Sequence, residues 1–208
     1  MSTSIDVRPM GPRALLISTG DRDAATVAIA IRAQMADIAL DVVPAASTVL
    51  IRFKDAAALK DETRSTLTAI LNNVPAGEQL TTGRTIEVSV RYDGEDLDEV
   101  ARQLDMSVAE LVEAHTAQSH RAAFVGFSPG FAYLSIADPR LTIARRATPR
   151  IRVRAGSVAL AAGYTAVYPV ESPGGWHILG HTQERMWDPS RTDPALIAPG
   201  DLVRFVAR

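Results

Sequence analysis

The hydrophobic pattern of this chain changes period once, and that change limits the fold more than any other feature. Up to about residue 91, β-branched runs alternate with segments whose apolar residues recur at helical spacing. From Ala122 onward the helical spacing is gone, and apolar runs of four to six residues are set apart by Gly and Pro. A chain of 208 residues, 47% hydrophobic and 22% charged, is long enough for two cores. The pattern therefore predicts an α+β protein. A small α/β domain over residues 1–93 precedes a second domain over 94–208, in which a helical pair leads into a small β-barrel or sandwich.

Within the first part, residues 14–18 form an apolar run of strand type. Residues 23–36 place Val27, Ile31 and Met35 along one helical side. Residues 38–43 and 48–53, separated by Pro44, predict a hairpin. Residues 56–71 predict a second helix through Leu59, Leu67, Ile70 and Leu71, and residues 85–91 alternate with period two. The order β-α-β-β-α-β is that of a ferredoxin-like, split βαβ sandwich. Beyond a boundary at residues 92–95, Asp96 with Glu99 and Ser107 with Glu110 have the spacing of capping boxes and start two short helices. Seven carboxylates against one arginine between Glu95 and Glu113 argue against nucleic acid on that helical pair. Strands are then expected at 122–127, 151–154, 157–162, 166–170, 176–179 and 202–206.

Other features exclude whole classes of chemistry. There is no cysteine, so thiolate catalysis, disulfides and cysteine zinc sites are out. A net charge of −2 recruits neither nucleic acid nor an anionic membrane. The opening MSTSIDVRPMGP holds no apolar stretch of leader type, and no segment reaches the ~18 apolar residues that span a bilayer. A cytoplasmic protein is the expectation. No P-loop pattern occurs. His177 and His181 are four apart, but the glycines and Trp176 around them favour strand. There they lie roughly 13 Å apart at ~3.3 Å per residue, so no metal site is expected.

The remaining candidates cluster in the second half. Gly174 and Gly175 let a backbone come close to a ligand or another strand, with His177 either facing a ligand or hydrogen-bonded internally. Gly126-Phe-Ser-Pro-Gly130 matches a nucleophile elbow in outline. The residue after Ser128, however, is Pro129, which has no N–H for an oxyanion hole. Phe124, Phe127, Phe131 and Tyr133 make either core or the apolar wall of a pocket. Six arginines fall between Arg140 and Arg154. As a strand, residues 149–154 place Arg150, Arg152 and Arg154 on one face and Ile151 and Val153 on the other. That face is a solvated surface, a carboxylate or phosphate site, or a contact for an acidic partner.

With these residues in view, the chain resembles the family of allophanate hydrolase subunit 1, also known as the B-type component of 5-oxoprolinase and, in sporulating bacteria, as the Kip-type histidine-kinase inhibitor. The matching stretches are GFSPGFAYL at 126–134, ATPR at 147–150, AGSV at 155–158, YP at 168–169, ESPGGW at 171–176 and PGDLVRF at 199–205, with an N-terminal echo, RPMGPRALL, at 8–16. The resemblance implies a cyclophilin-like barrel after the small α/β domain, similar to one half of the carboxyltransferase portion of urea amidolyase. It implies a hydrolase subunit that acts with a homologous second subunit, of the allophanate hydrolase subunit 2 type (the C-type component of 5-oxoprolinase), and with a third, LamB/YcsF-type subunit. Together these open the lactam of 5-oxoproline to glutamate at the expense of ATP, with Mg2+, the nucleotide sitting on this chain or on the partner. Inhibition of a sensor histidine kinase, or a carboxyltransferase role on biotin-borne carboxyl, are the alternatives. On this basis Arg150 and His177 are the expected catalytic residues. Phe127, Phe131, Tyr133, Tyr168, Ser172, Gly174, Gly175 and Trp176 are expected around the substrate. The chain departs from the family at Tyr164, where a glutamine is usual, and at His181, where an arginine is usual.

Overall fold

The computed structural model describes residues 6–77, 79 and 83–208. Two compact units divide between residues 81 and 82.

In the first unit, β1 (Asp6–Pro9) and β2 (Ala14–Ser18) lead into α1 (Ala24–Met35), followed by the hairpin β3 (Ala39–Pro44) and β4 (Thr48–Phe53) and by α2 (Asp61–Asn73). The sheet runs β1-β2-β4-β3 and is antiparallel throughout. Period-two alternation turns Leu15, Ile17, Val49, Ile51 and Phe53 inward. They meet Val27 and Ile31 of α1 and Leu67 and Ile70 of α2 in one core. Asp23 starts α1 by accepting the Thr26 N–H at 2.7 Å. The second helix begins later than its apolar spacing suggests. Asp55 accepts the Ala57 N–H at 2.9 Å, and this holds Ala56–Ala58 as a separate 3-10 turn.

The topology corrects the ferredoxin-like order in one respect. The strand at Thr85–Val90, expected beside β2, belongs to the second unit, and β1 takes its place. Ladder pairing decides this. Val88 and Val90 are wholly buried against the C-terminal strand, where six residue pairs run in parallel register.

The second unit contains that strand, β5, then α3 (Leu97–Gln103), α4 (Val108–Thr116), β6 (His120–Val125), β7 (Ala132–Ser135), β8 (Arg150–Val153), β9 (Ser157–Ala161), β10 (Tyr164–Val167), β11 (Ser172–Gly174), β12 (His177–His181) and β13 (Leu202–Ala207). Seven strands form one sheet in the order β12-β9-β10-β7-β6-β13-β5, and β8 pairs with β11 as a separate ribbon. The two edges of the large sheet meet. Arg91, just past β5, exchanges both main-chain hydrogen bonds with His181 at 2.9 and 2.8 Å, so the sheet closes into a barrel. Gly180 makes the seam possible, because a Cβ there would sit 2.3 Å from the Arg91 carbonyl oxygen. Val90, Leu134, Val158, Val203 and Phe205 fill one core of the unit, and α3 and α4 pack Val100 and Leu111 against Leu160 and Leu179. Ser107 and Glu110 form the complete capping box. Asp96 stands at the N-cap of α3, yet its side chain makes no capping bond. No helix among the described residues is long and apolar enough to cross a membrane.

Candidate functional site

Three segments converge beside the β8–β11 ribbon: the turn joining β6 to β7, the irregular stretch 144–149 before β8, and the chain from β11 into β12. They enclose a cleft of about 180 Å³ lined by Phe127, Phe131, Tyr133, Tyr168, Trp176, Arg145, Arg146, Pro149, Pro173, Gly174 and Gly175. Phe131 is its centre. Its ring lies 5.0 Å from Tyr133, and 5.3 and 5.7 Å from Tyr168 and Trp176, which it meets edge to face. These four rings are at least partly buried, whereas Phe127 forms the rim, 63% exposed at φ 71°. Gly174 belongs to the wall because of Tyr168. A Cβ at 174 would lie 2.2 Å from the tyrosine oxygen, so only glycine lets that hydroxyl rest against the main chain. Burial raises the pKa of Tyr168 more than the Arg145 charge and the Trp176 main chain lower it, and the phenol stays protonated.

The arginine segment is fastened at several points. Arg146 N–H donates to the Gly175 carbonyl at 2.8 Å, and Ala162 N–H donates to the Ile143 carbonyl at 2.7 Å. His177 Nε2 lies 3.0 Å from the Ala144 carbonyl. Asp96, 2% exposed, accepts from Arg146 Nη1 at 2.6 Å, from Arg150 Nη1 and Nη2 at 2.9 and 2.7 Å, and from the Ile178 N–H at 2.7 Å. Burial alone would raise its pKa. The Arg150 hydrogen bonds, the Ile178 N–H and the two guanidinium charges outweigh burial and hold it below the usual carboxylate range.

Of the residues singled out in sequence, Phe127, Phe131, Tyr133, Tyr168, Gly174, Gly175 and Trp176 come together in this cleft. Three do not. Arg150 turns to Asp96 and, at 3.0 Å, to Glu95, so its guanidinium is engaged inside the fold. His177 is buried on the Ala144 carbonyl rather than facing the cleft. Ser172 pairs with Val153 in the ribbon, and its hydroxyl oxygen is buried with no partner among the described residues. The expected arginine face also breaks up. Arg152 pairs with Glu171 at 2.6 Å, and Arg154 lines a separate cleft with Asp93, Ser157 and His181. Ile151 and Val153, expected on one face, part company: Val153 is buried with Phe131 and Trp176, whereas Ile151 is 92% exposed, because the register shift in the ribbon sets three steps of β8 against two of β11. Tyr164 and His181 lie outside the aromatic cleft. Tyr164 packs on Tyr133 and Phe124, and His181 Nδ1 lies 2.8 Å from Asp93. The cations that line the cleft are Arg145 and Arg146. Both stand out in sequence as part of the arginine cluster, but an irregular loop leaves no periodic signal to place them.

Barrel and cleft together define a class, that of β-barrel domains carrying an aromatic cleft edged by arginine. Within it, the chain belongs to the family of the carboxyltransferase domain, subdomain C and D, whose model matches residues 5–197. It is 44% identical over 126 residues to the B-type subunit of 5-oxoprolinase from Escherichia coli O157:H7, a match covering 59% of this chain and 58% of that protein. The protein TTHA0988, known from its crystal structure, is 35% identical and superposes with a TM-score of 0.76 over 94% of this chain and 40% of its own. Urea amidolyase of Kluyveromyces lactis, 18% identical, shares the fold at a TM-score of 0.73 over the whole of this chain and 15% of its own length. The match thus spans a little under three fifths of the Escherichia coli relative.

Proposed function

We propose that the chain is a subunit of an ATP-dependent 5-oxoprolinase and that the aromatic cleft holds the lactam acid. The observation that carries this reading is the composition of the cleft: four packed aromatic rings for a small apolar ring, and Arg145 and Arg146 for a carboxylate. The names of the relatives support it. In the net reaction 5-oxoproline, ATP and two waters become glutamate, ADP and phosphate, one water opening the lactam and one taken up in ATP hydrolysis. Amide resonance makes opening the lactam in water unfavourable, so activation of the amide oxygen by phosphoryl transfer is the simplest coupling.

In this reading the chain supplies binding and a dry wall. Phe131, Tyr133 and Trp176 exclude water from the ring, Arg145 pairs with the carboxylate, and the protonated Tyr168 hydroxyl donates a hydrogen bond. The cleft, at about 180 Å³, is smaller than the ~300–1,000 Å³ of ordinary ligand sites and does not fit a nucleotide. We therefore assign ATP and its Mg2+ to a partner, a homologous second subunit, with a third subunit of LamB/YcsF type to complete the assembly. The family model keeps carboxyl transfer as a second reading of the same cleft.

The test is 5-oxoproline-dependent phosphate release, measured for the chain alone and with the second and third subunits. Activity is expected only in the assembly, with Arg145→Ala raising KM for 5-oxoproline at least tenfold, roughly the size of a lost charge-assisted hydrogen bond. Release that does not depend on 5-oxoproline, or an Arg145→Ala assembly with wild-type KM, rejects the reading.

A further inference from the structure

We propose that Asp96 is a positioning residue for the anion end of the cleft: by clamping Arg146 and Arg150 it steadies the loop that ends at Arg150, so that Arg145, next to the clamped Arg146, meets a carboxylate held against the aromatic wall. The inference builds on the lactam-acid reading but concerns how any carboxylate is recognised.

Asp96 departs from what its local position favours. An Asp at an N-cap normally accepts a main-chain N–H of its own first turn. Here the N-cap of α3 goes without a side-chain bond, and the carboxylate turns inward. The four donors it meets come from three residues in two distant segments: Arg146 and Arg150 from the irregular loop and its far end, and Ile178 from β12, two residues past Trp176. Its own N–H donates to the Ile178 carbonyl at 3.1 Å, so Asp96 and β12 are tied twice. One buried carboxylate therefore adds charged ties between the cationic loop and β12, beside the main-chain bond from Arg146 to Gly175 and the contact of His177 with the Ala144 carbonyl, and it is the group that both guanidinium groups share.

The arginines divide their roles accordingly. Arg150 lies outside the cleft lining, with Asp96 and Glu95 as partners. Arg146 lines the cleft with Nη1 on Asp96, and its buried Nε finds no acceptor among the described residues. An unmet buried donor is costly, and an arriving anion would offset that cost. Arg145 lines the cleft and makes no ion pair among the described residues. The lowered pKa of Asp96 agrees with a clamp that stays ionised at neutral pH.

The experiment is isothermal titration of the full-length chain with three probes: 5-oxoproline, benzoate (a carboxylate without a lactam) and 2-pyrrolidinone (the lactam without a carboxylate). Asp96→Asn keeps the shape and an acceptor for Ile178. It is expected to weaken the carboxylates about tenfold, the size of a disturbed charge-assisted contact, and to leave 2-pyrrolidinone within about twofold. Arg145→Gln should show the same selectivity, and the double variant should lose no more than either single one. Equal weakening of all three probes would mean a general packing role and overturn the inference, as would losses that add in the double variant. If Asp96→Asn does not fold, Arg150→Lys keeps the charge but loses the two-pronged grip. A smaller selective loss there supports the clamp, and unchanged carboxylate affinity overturns it. Benzoate bound with this dependence while 5-oxoproline is refused would sustain the clamp and remove the lactam reading. Carboxylates bound equally by wild type and Asp96→Asn would remove the clamp alone, and binding of no carboxylate by the wild type would remove both.

Discussion

The Tyr92 hydroxyl lies 2.6 Å from Nδ1 of His115, and Nε2 of the same ring lies 2.9 Å from Thr165 Oγ1. Thr165 donates to the Ala159 carbonyl at 3.0 Å, so its oxygen can accept from Nε2–H. The network thus assigns His115 as a neutral imidazole protonated on Nε2, with Nδ1 accepting from Tyr92. Burial first, and then the nearby His120, hold the pKa of His115 well below the usual value. Burial lowers that of His120 as well, despite its two carbonyl neighbours. Burial pushes Tyr92 well up.

The pH dependence of stability follows. Depressed histidines stay neutral in the fold while the unfolded chain takes up protons below about 6.5, so their contribution is full above that pH and shrinks as pH falls. A raised tyrosine contributes fully below about 10 and less as pH rises past it. The urea midpoint should be flat between about pH 7 and 9 and fall on both sides. A midpoint at about pH 5 equal to that near neutrality would show the histidines do not act this way.

Ser107 carries both bonds of the capping box on α4. Ser107→Ala should lower stability by about 1 kcal/mol, read as a shift in urea midpoint at constant m-value, with ligand binding unchanged. A loss of binding would mean α4 is coupled to the cleft in a way the packing does not show.

Two glycines should respond differently to the same change. Gly180→Ala sets a methyl group against the Arg91 carbonyl across the barrel seam, where neither strand can yield, and should cost about 1–3 kcal/mol or more. Gly174→Ala meets the Tyr168 ring, which can move. It should lower the melting temperature less but weaken 5-oxoproline binding, because the displaced ring is part of the wall. Differential scanning calorimetry and titration of both variants check the pair. The reverse order would contradict the assignment of seam and wall.

Phe127 sits at φ 71° with most of its ring in solvent. A left-handed conformation suits Asn far better than Phe, at a difference of about 1 kcal/mol. Phe127→Asn should leave stability equal or slightly higher while loosening the cleft rim, measured as weaker binding at an unchanged or raised melting temperature. A clear drop in stability would show that the edge-to-face contact of Phe127 with Phe131, at 5.3 Å between ring centres, outweighs the relief of the left-handed backbone.

Where the signal is periodic, the sequence is informative. The alternation at 14–18 and 48–53 and the helical spacing of Val27, Ile31 and Met35 correspond to β2, β4 and α1. Strand partnership is less legible. Residues 85–91 form a strand wherever they pair, and only the wholly buried Val88 and Val90 beside β13 decide that it is the barrel. Among the strands of three or four residues, β8 and β10 are overlapped by the apolar runs read at 151–154 and 166–170, whereas β1, β7 and β11 escape a reading by pattern. At the site, the aromatics and glycines are visible as a composition anomaly. Arg150 and His177 are visible too, but as residue types suited to chemistry rather than as side chains with partners. Their partners, Asp96 and the Ala144 carbonyl, are distant in sequence. Asp96 itself has the spacing of a helix cap, the role its local position favours, and the tertiary pull of two arginines overrides that preference.

The most direct measurement of the central claim is a chemical-shift map of the isotopically labelled chain titrated with 5-oxoproline. Saturable shifts are expected at Tyr133, Tyr168, Gly174, Gly175, the Trp176 indole N–H and the Arg145 side chain. Shifts confined to the other cleft, at Asp93, Arg152, Ser157 and His181, or no shifts at all up to high millimolar ligand, would contradict the account.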